Sequence, residues 1–301
     1  MDTGLYDPLL YPLKGGVRAV SAFRVAADYL SLLKPRVTAL HLFTAAVAML
    51  LASHGSPPVK AFALVLVGGG LTAGGSNALN CYFDRDLDAL MERTKNRALP
   101  AGRLSARNVL VFGLVCGAVG LTLMAWLSMY VAGMALAAFA SYALVYTLWL
   151  KPRGGAGTVL SSGIGAVPPL IGWLAVTGHF SITPILLFGI IALWTPPHFW
   201  ALALSRGEEY SGAGLAVLPG KNPAVWIAAF AVLLIATSLI LVPVAHPGTV
   251  YAISAVTLGL FFLLLCVNSI ARPSPSTARL LYVYSIIYLV LLFASLLAGL
   301  L

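Results

Sequence analysis

The chain has 301 residues, 60% hydrophobic and 9% charged, with a mean hydropathy of +0.95 and a formal net charge of +9. That much apolar surface excludes a soluble domain and fits a polytopic helical membrane protein. The positive charge follows membrane topology and does not point to nucleic acid, and the three scattered cysteines match neither a zinc site nor a disulfide framework.

Residues 1–35 read as a mostly polar cytoplasmic arm with a surface helix near Ser21–Leu33. No short apolar region with a cleavage site opens the chain, so no signal peptide is expected. Nine apolar runs follow, at about 37–53, 61–83, 108–127, 129–150, 157–178, 182–204, 224–243, 248–269 and 280–300. Each is close to the roughly 20 residues that cross a bilayer. The expected fold class is all-α, a nine-helix membrane domain over residues 36–301. The loops alternate between charged and nearly uncharged: every Lys and Arg except Lys60 falls on the N-terminal side, and so does every Asp and Glu. Basic loops face the cytoplasm, which puts the N-terminus inside and the C-terminus outside. Acidic residues contribute little to orientation, so their segregation points to chemistry at that face.

Gly68, Gly69, Gly70, Gly74 and Gly75 crowd the second run, where small residues let helices approach closely. The stretch from Gly74 to Arg107 then holds four of the nine acidic residues and six of the eighteen basic ones. Asn80, Asp84 and Asp88 recur every four residues, so in a helix they line one face, and Asp86 points elsewhere. Two carboxylates and an amide oxygen at a membrane surface, followed by six cations, suit Mg²⁺ and a phosphorylated substrate. Hard Mg²⁺ takes one or two carboxylates plus substrate phosphates. Solvated charge is the plainer alternative. Asn77 and Asn80 argue against it, because polar groups within an apolar run are costly.

Tyr142, Tyr146 and Trp149 follow helical spacing, either as a cavity wall or as an interfacial belt. The sixth run ends Trp194-Thr-Pro-Pro-His-Phe-Trp200. Pro196 and Pro197 cannot donate backbone hydrogen bonds, so the helix is expected to bend or open there. His198 follows, placed to ligate iron, relay a proton, meet a propionate or bond a neighbouring helix. Glu208, Glu209 and Tyr210 form a second acidic group, completing a metal site or remaining solvated.

The N-x-x-x-D-x-x-x-D of Asn80–Asp88 resembles the first signature of the UbiA superfamily of intramembrane prenyltransferases. Lys34-Pro35-Arg36, Met91-Glu-Arg-Thr94, Arg97-Ala-Leu-Pro-Ala-Gly102, Tyr146-Thr-Leu-Trp-Leu-Lys151, Pro168-Pro-Leu-Ile-Gly-Trp173 and Trp194–Trp200 are similar to the branch that farnesylates haem. The resemblance runs from about Tyr29 to Pro219. Ala98 stands where that branch has proline, and Glu209-Tyr210 where it has Asp-Tyr.

The resemblance implies nine helices around a central cavity in the cell membrane, with a cytoplasmic active site. It implies a reaction of farnesyl diphosphate, haem B and water giving haem O and diphosphate. Asn80, Asp84 and Asp88 would hold Mg²⁺ as the catalytic centre. Arg93, Arg97, Lys151 and Arg153 would offset the diphosphate charge. His198 would contact haem, and Glu209 and Tyr210 would form a second acidic loop. The lipid bilayer and haem A synthase are the further partners it brings in. The alternatives are a UbiA-type enzyme acting on a quinone precursor or lipid alcohol, a transporter with a broken sixth helix, and a non-catalytic haem-binding membrane protein.

Overall fold

The computed structural model describes residues 22–207 and 217–300. Residues 1–21 of the expected arm, and Glu208, Glu209 and Tyr210, lie outside the described residues. Within them every element is helical. A short helix α1 (Ala22–Leu32) precedes nine membrane-length spans, matching the nine apolar runs to within a few residues at each end. The first three spans are α2 (Pro35–Ala52), α3 (Val59–Phe83) and α5 (Ala106–Ala125), with a short α4 (Arg85–Leu90) after α3. The fourth is α6 (Met129–Ala140) continued by a π-helix, Ser141–Leu150. The fifth is α7 (Gly154–Gly165) with α8 (Pro168–Thr177), followed by α9 (Ile182–Ser205). Then come α10 (Pro223–Ala245), α11 (Thr249–Ala271) and α12 (Pro275–Leu297).

Local chemistry sets the starts of these helices. Proline occupies the first turn of α2, α8, α10 and α12, where its missing N–H costs nothing. Ser105, Ser128 and Ser274 cap α5, α6 and α12, each accepting a backbone N–H from the first turn. The glycines of α3 serve packing. A Cβ on Gly75 would lie 2.7 Å from the Gly113 carbonyl oxygen, and one on Gly120 would lie 2.6 Å from that of Gly68. The α3 and α5 backbones therefore touch along a seam that larger residues would wedge apart.

The two proline pairs behave differently. Pro168 and Pro169 break the fifth span into α7 and α8. Pro196 and Pro197 do not open the sixth, contrary to the sequence expectation: α9 is one helix from Ile182 to Ser205. Both prolines are buried there, and the Trp194 indole N–H donates to the Ser285 carbonyl of α12 at 2.6 Å. Tertiary packing holds this turn helical in spite of its missing donors.

Three apolar clusters fill the bundle. One joins α2, α9, α10, α11 and α12 around Trp200, Phe262 and Tyr288. A second joins α2, α3, α5, α6 and α8 around Met49, Val65 and Met124. The third, with Leu32, Ala78, Leu99 and Val109, packs α1 and the loop after α4 against the charged ends of α3 and α5. The three cysteines are buried among the packed helices. At the charged end, Arg103 grips the Asp28 carboxylate of α1 at 2.9 and 3.0 Å, and Tyr29 packs on Phe112 with ring centroids 4.9 Å apart.

The Arg103 guanidinium holds the Asp28 carboxyl below its ordinary value of 3.8. A depressed folded-state pKa contributes stability that is complete above the carboxylate range and lost as pH falls through it. Below about pH 4 the α1 helix therefore loosens. Arg103→Ala loosens it already at pH 7. The rate of proteolytic cleavage between α1 and α2 reads both effects. Equal rates for variant and wild type at pH 7 would show that the ion pair does not hold α1.

Candidate active site

The site is built on the last turn of α3. Although α3 ends at Phe83 and α4 begins at Arg85, the helical register continues through the junction. Asp84 N–H donates to the Asn80 carbonyl at 2.9 Å, and Asp88 N–H to that of Asp84 at 2.7 Å. Asn80, Asp84 and Asp88 consequently share a face, as their spacing predicts. They are 3%, 8% and 4% exposed, whereas the Asp86 side chain is 87% exposed and lies 3.7 Å from Arg85. One turn earlier, the Asn77 amide donates to the Leu33 carbonyl and to Thr38 Oγ1, both at 3.3 Å, which ties α3 to the start of α2.

Each oxygen donor on this face meets a cation from a different element. Lys151, at the end of the π-helix, places Nζ 2.6 Å from Asp84 Oδ2. Arg97, from the loop after α4, lies 2.7 Å from Asp88 Oδ2. That loop is anchored by buried Thr94, whose hydroxyl donates to the Asp88 carbonyl at 2.9 Å. Lys34, between α1 and α2, donates to Asn80 Oδ1 at 2.6 Å. Its backbone has φ +47°, a left-handed conformation that costs a side-chain-bearing residue about 1–2 kcal/mol. Burial pulls the Lys34 ammonium below its ordinary value of 10.5, opposed by Asp84 and Asp88.

Of the residues expected at the site, Asn80, Asp84, Asp88, Arg97 and Lys151 come together. Arg93 is exposed on the loop. Arg153 lies over the ring of exposed Trp149, 4.2 Å from its centroid, and donates to the Trp149 carbonyl. Tyr142 and Tyr146 stack at 5.4 Å, and Lys34 Nζ is 5.9 Å from the Tyr142 ring centroid.

His198 does not turn away from its neighbours, because α9 does not open beneath it. Its ring lies between Trp194 and Tyr282, at 4.3 and 4.8 Å, and Nδ1 is 2.8 Å from Ser285 Oγ on α12. The Ser285 hydroxyl proton goes to the Tyr282 carbonyl at 2.6 Å, so Ser285 accepts from Nδ1–H and the lone pair stays on Nε2.

Sequence reasoning missed two members. Lys34 carried a signal, as a cation directly before proline at the start of an apolar run, in the Lys34-Pro35-Arg36 motif. Thr147, whose Oγ1 accepts from Asn80 Nδ2 at 3.1 Å, carried none, since threonines in apolar helices usually bond their own backbone.

Two buried carboxylates and an amide oxygen, each already facing a cation, form a hard oxygen set. Among the described residues no group of three or more His, Cys, Asp or Glu could hold a metal. Two carboxylates with further oxygens from substrate phosphates and water are what Mg²⁺ uses, so these residues fit that ion.

Among the described residues, nine apolar spans with a cation-clamped carboxylate pair at one helix end make a helical, multi-pass membrane protein, and the family match makes it an enzyme of the prenyl-transferring class. The chain belongs to the UbiA prenyltransferase family, which matches residues 41–298. It is 43% identical over 275 residues to a protoheme IX farnesyltransferase of Alkalilimnicola ehrlichii, covering 90% of this chain and 91% of that one. It is 38% identical over 276 residues to a protoheme IX farnesyltransferase of Symbiobacterium thermophilum, covering 90% and 93%. Its fold is similar to that of a UbiA homolog from Archaeoglobus fulgidus bound to GPP and Mg²⁺. The TM-score is 0.62 at 17% identity, covering 89% of this chain and 99% of that one.

Lys151→Ala leaves the Asp84 carboxylate buried without its cation. The expected loss is about 1–3 kcal/mol, below that of a fully buried pair because Lys151 is partly exposed. Thermal unfolding in detergent measures it, and an unchanged midpoint would make this pair energetically neutral.

Proposed function

We propose that the chain transfers a farnesyl group from farnesyl diphosphate to a vinyl carbon of haem B, with addition of water, giving haem O and diphosphate. The observation that carries prenyl transfer is the buried Asn80–Asp84–Asp88 face with a cation on each oxygen donor. The acceptor follows from the name shared by the two relatives. A quinone-precursor or lipid-alcohol acceptor has no such support. The unbroken α9 removes the feature on which a transporter reading rested.

Chemistry at this site begins with loss of diphosphate from the allylic carbon. Lys34, Arg97 and Lys151 offset the negative charge that grows on the leaving oxygens, in a setting where Coulomb forces are weakly screened. Asp84, Asp88 and the Asn80 oxygen would hold Mg²⁺, which when bound draws charge from the diphosphate. The stacked Tyr142 and Tyr146 rings present π-faces to an allylic cation. The apolar helices around them keep water from capturing that cation before the haem vinyl group does. Water then adds at the carbon beside the porphyrin and loses a proton to become the hydroxyl. His198 offers its Nε2 lone pair to haem, its ring fixed by Ser285. Arg93 and Arg153, on the loops at the same end, would steer the anionic substrate, and Glu209 with Tyr210 would supply a second acidic loop.

The proposed location is the cell membrane, with residues 36–301 as the catalytic domain in the bilayer, residues 1–35 as a cytoplasmic arm and the C-terminus outside. Haem A synthase is a partner consistent with the product. Cysteine labels in the 85–107 loop should react from the cytoplasmic side, and labels near His54 or His246 from the other. The reverse pattern would move the site across the membrane.

Membranes containing the protein, incubated with haem B, farnesyl diphosphate and Mg²⁺, should yield haem of the mass of haem O. Asp84→Ala or Asp88→Ala should lower that yield by about 10²–10³-fold. Asp86→Ala, at an exposed position, should stay within about threefold. An unmodified haem in the wild-type incubation defeats the proposed acceptor. An essential Asp86 with a dispensable Asp84 defeats the assigned face.

A further inference from the structure

The π-helix at the end of the fourth span is ten residues long, Ser141–Leu150. Such turns are rare, mostly single, and frequent at functional sites. Here the wider turn changes which backbone carbonyl one hydroxyl reaches. Thr72, Thr122 and Thr195 lie in α-helical spans and donate to the carbonyl four residues back. Thr147 instead donates to the carbonyl five residues back, Tyr142 O, at 2.9 Å. Its proton is thereby committed, and Oγ1 faces Asn80 only as an acceptor.

The consequence falls on the Asn80 amide. One Nδ2 proton goes to Thr147 Oγ1 at 3.1 Å and the other to Asp84 Oδ2 at 2.8 Å. Oδ1 is left pointing the other way, 2.6 Å from the Lys34 ammonium. An amide rotates about its last torsion with two nearly equivalent settings, so its own geometry does not choose between them. The neighbours choose. In the reversed setting Oδ1 would face the Asp84 carboxylate and the Thr147 lone pair, and the NH₂ would face the ammonium. Asn80 and Thr147 are 3% and 6% exposed, so little water is at hand to compensate such mismatches.

We propose that Thr147 is a positioning residue that fixes the Asn80 amide with its oxygen towards the cation position. That oxygen meets Lys34 here and would be a ligand for Mg²⁺ when a diphosphate is bound. The inference rests on reading Asn80, Asp84 and Asp88 as a Mg²⁺–diphosphate site. The π-helix enters the function through it, because in this turn the Thr147 proton goes to the Tyr142 carbonyl and leaves Oγ1 as an acceptor for Asn80.

The test uses the purified full chain and inorganic diphosphate, titrated with Mg²⁺ and followed by calorimetry. Thr147→Val keeps the shape of the side chain and removes the acceptor. It should raise the Mg²⁺ concentration at half-saturation by about tenfold, the scale of one buried hydrogen bond. Thr147→Ser keeps the hydroxyl and should bring the value back to within about twofold of wild type. In an Asn80→Asp background, which has no amide to orient, Thr147→Val should cause no further change. A Val variant that titrates like wild type overturns the proposal, as does a Ser variant as impaired as Val. A full tenfold loss in the Asp background also overturns it, since Thr147 would then act without the amide. So does a wild type without Mg²⁺-dependent diphosphate binding. The haem product of the wild-type enzyme is measured separately by mass, so failure of the acceptor assignment is distinguishable from failure of the Thr147 role.

Discussion

A carboxylate withdrawn from water stays ionised only where a cation or hydrogen-bond donors replace the lost hydration. Asp84 and Asp88 are withdrawn at the end of a membrane helix, and the architecture at this end of the bundle meets their demand. Asp84 requires Lys151, which requires the fourth span to end beside α3. Asp88 requires Arg97, which requires the loop after α4 to fold back over the helix end. The Asn80 oxygen draws Lys34 in from the start of the first span. Three elements distant in sequence are thus held to one face by these contacts. The same cations are then in place for a polyanionic substrate, so the electrostatics that hold this end together and those that bind a diphosphate are shared.

Close backbone approach makes this convergence possible. The glycine seam between α3 and α5 fixes the helix that carries the acidic face. The cluster of Leu32, Ala78, Leu99 and Val109 presses the basic loop against it. Gly157 of α7 lies against the Leu150 carbonyl at the end of the π-helix, where a side chain would displace the residue that precedes Lys151. The donors are therefore set by packing before any substrate arrives, which is the condition for electrostatic preorganisation.

The prolines illustrate how context decides a local rule. Both pairs remove two backbone donors. Pro168-Pro169 follows a turn at Ala166 and starts a new helix, whose Gly172 then packs against the Ala45 backbone of α2. Pro196-Pro197 sits between Trp194 and His198, both bonded to Ser285 on α12, and the helix continues. His198 is consequently a well-held ring with one nitrogen spoken for, and not a freely turning one.

Much of this protein was legible in the chain itself. Nine spans, the side on which charge collects, and the shared face of Asn80, Asp84 and Asp88 follow from periodicities within one helix or from apolar runs of membrane length. These are local properties, and local sequence specifies them. Which cations meet the carboxylates is a different kind of question. Lys and Arg side chains are long, and where they end depends on the neighbouring element: Lys151 and Arg97 reach the acids, whereas Arg153 folds onto Trp149. The part played by Lys34 depends on how the first span enters the bundle, and that of Thr147 on a π-turn that no apolar pattern announces. The continuity of α9 depends on α12, 87 residues further along the chain from His198 to Ser285. Tertiary structure alone decided these features, because each is an interaction between segments whose relative placement is fixed only when the whole bundle has packed.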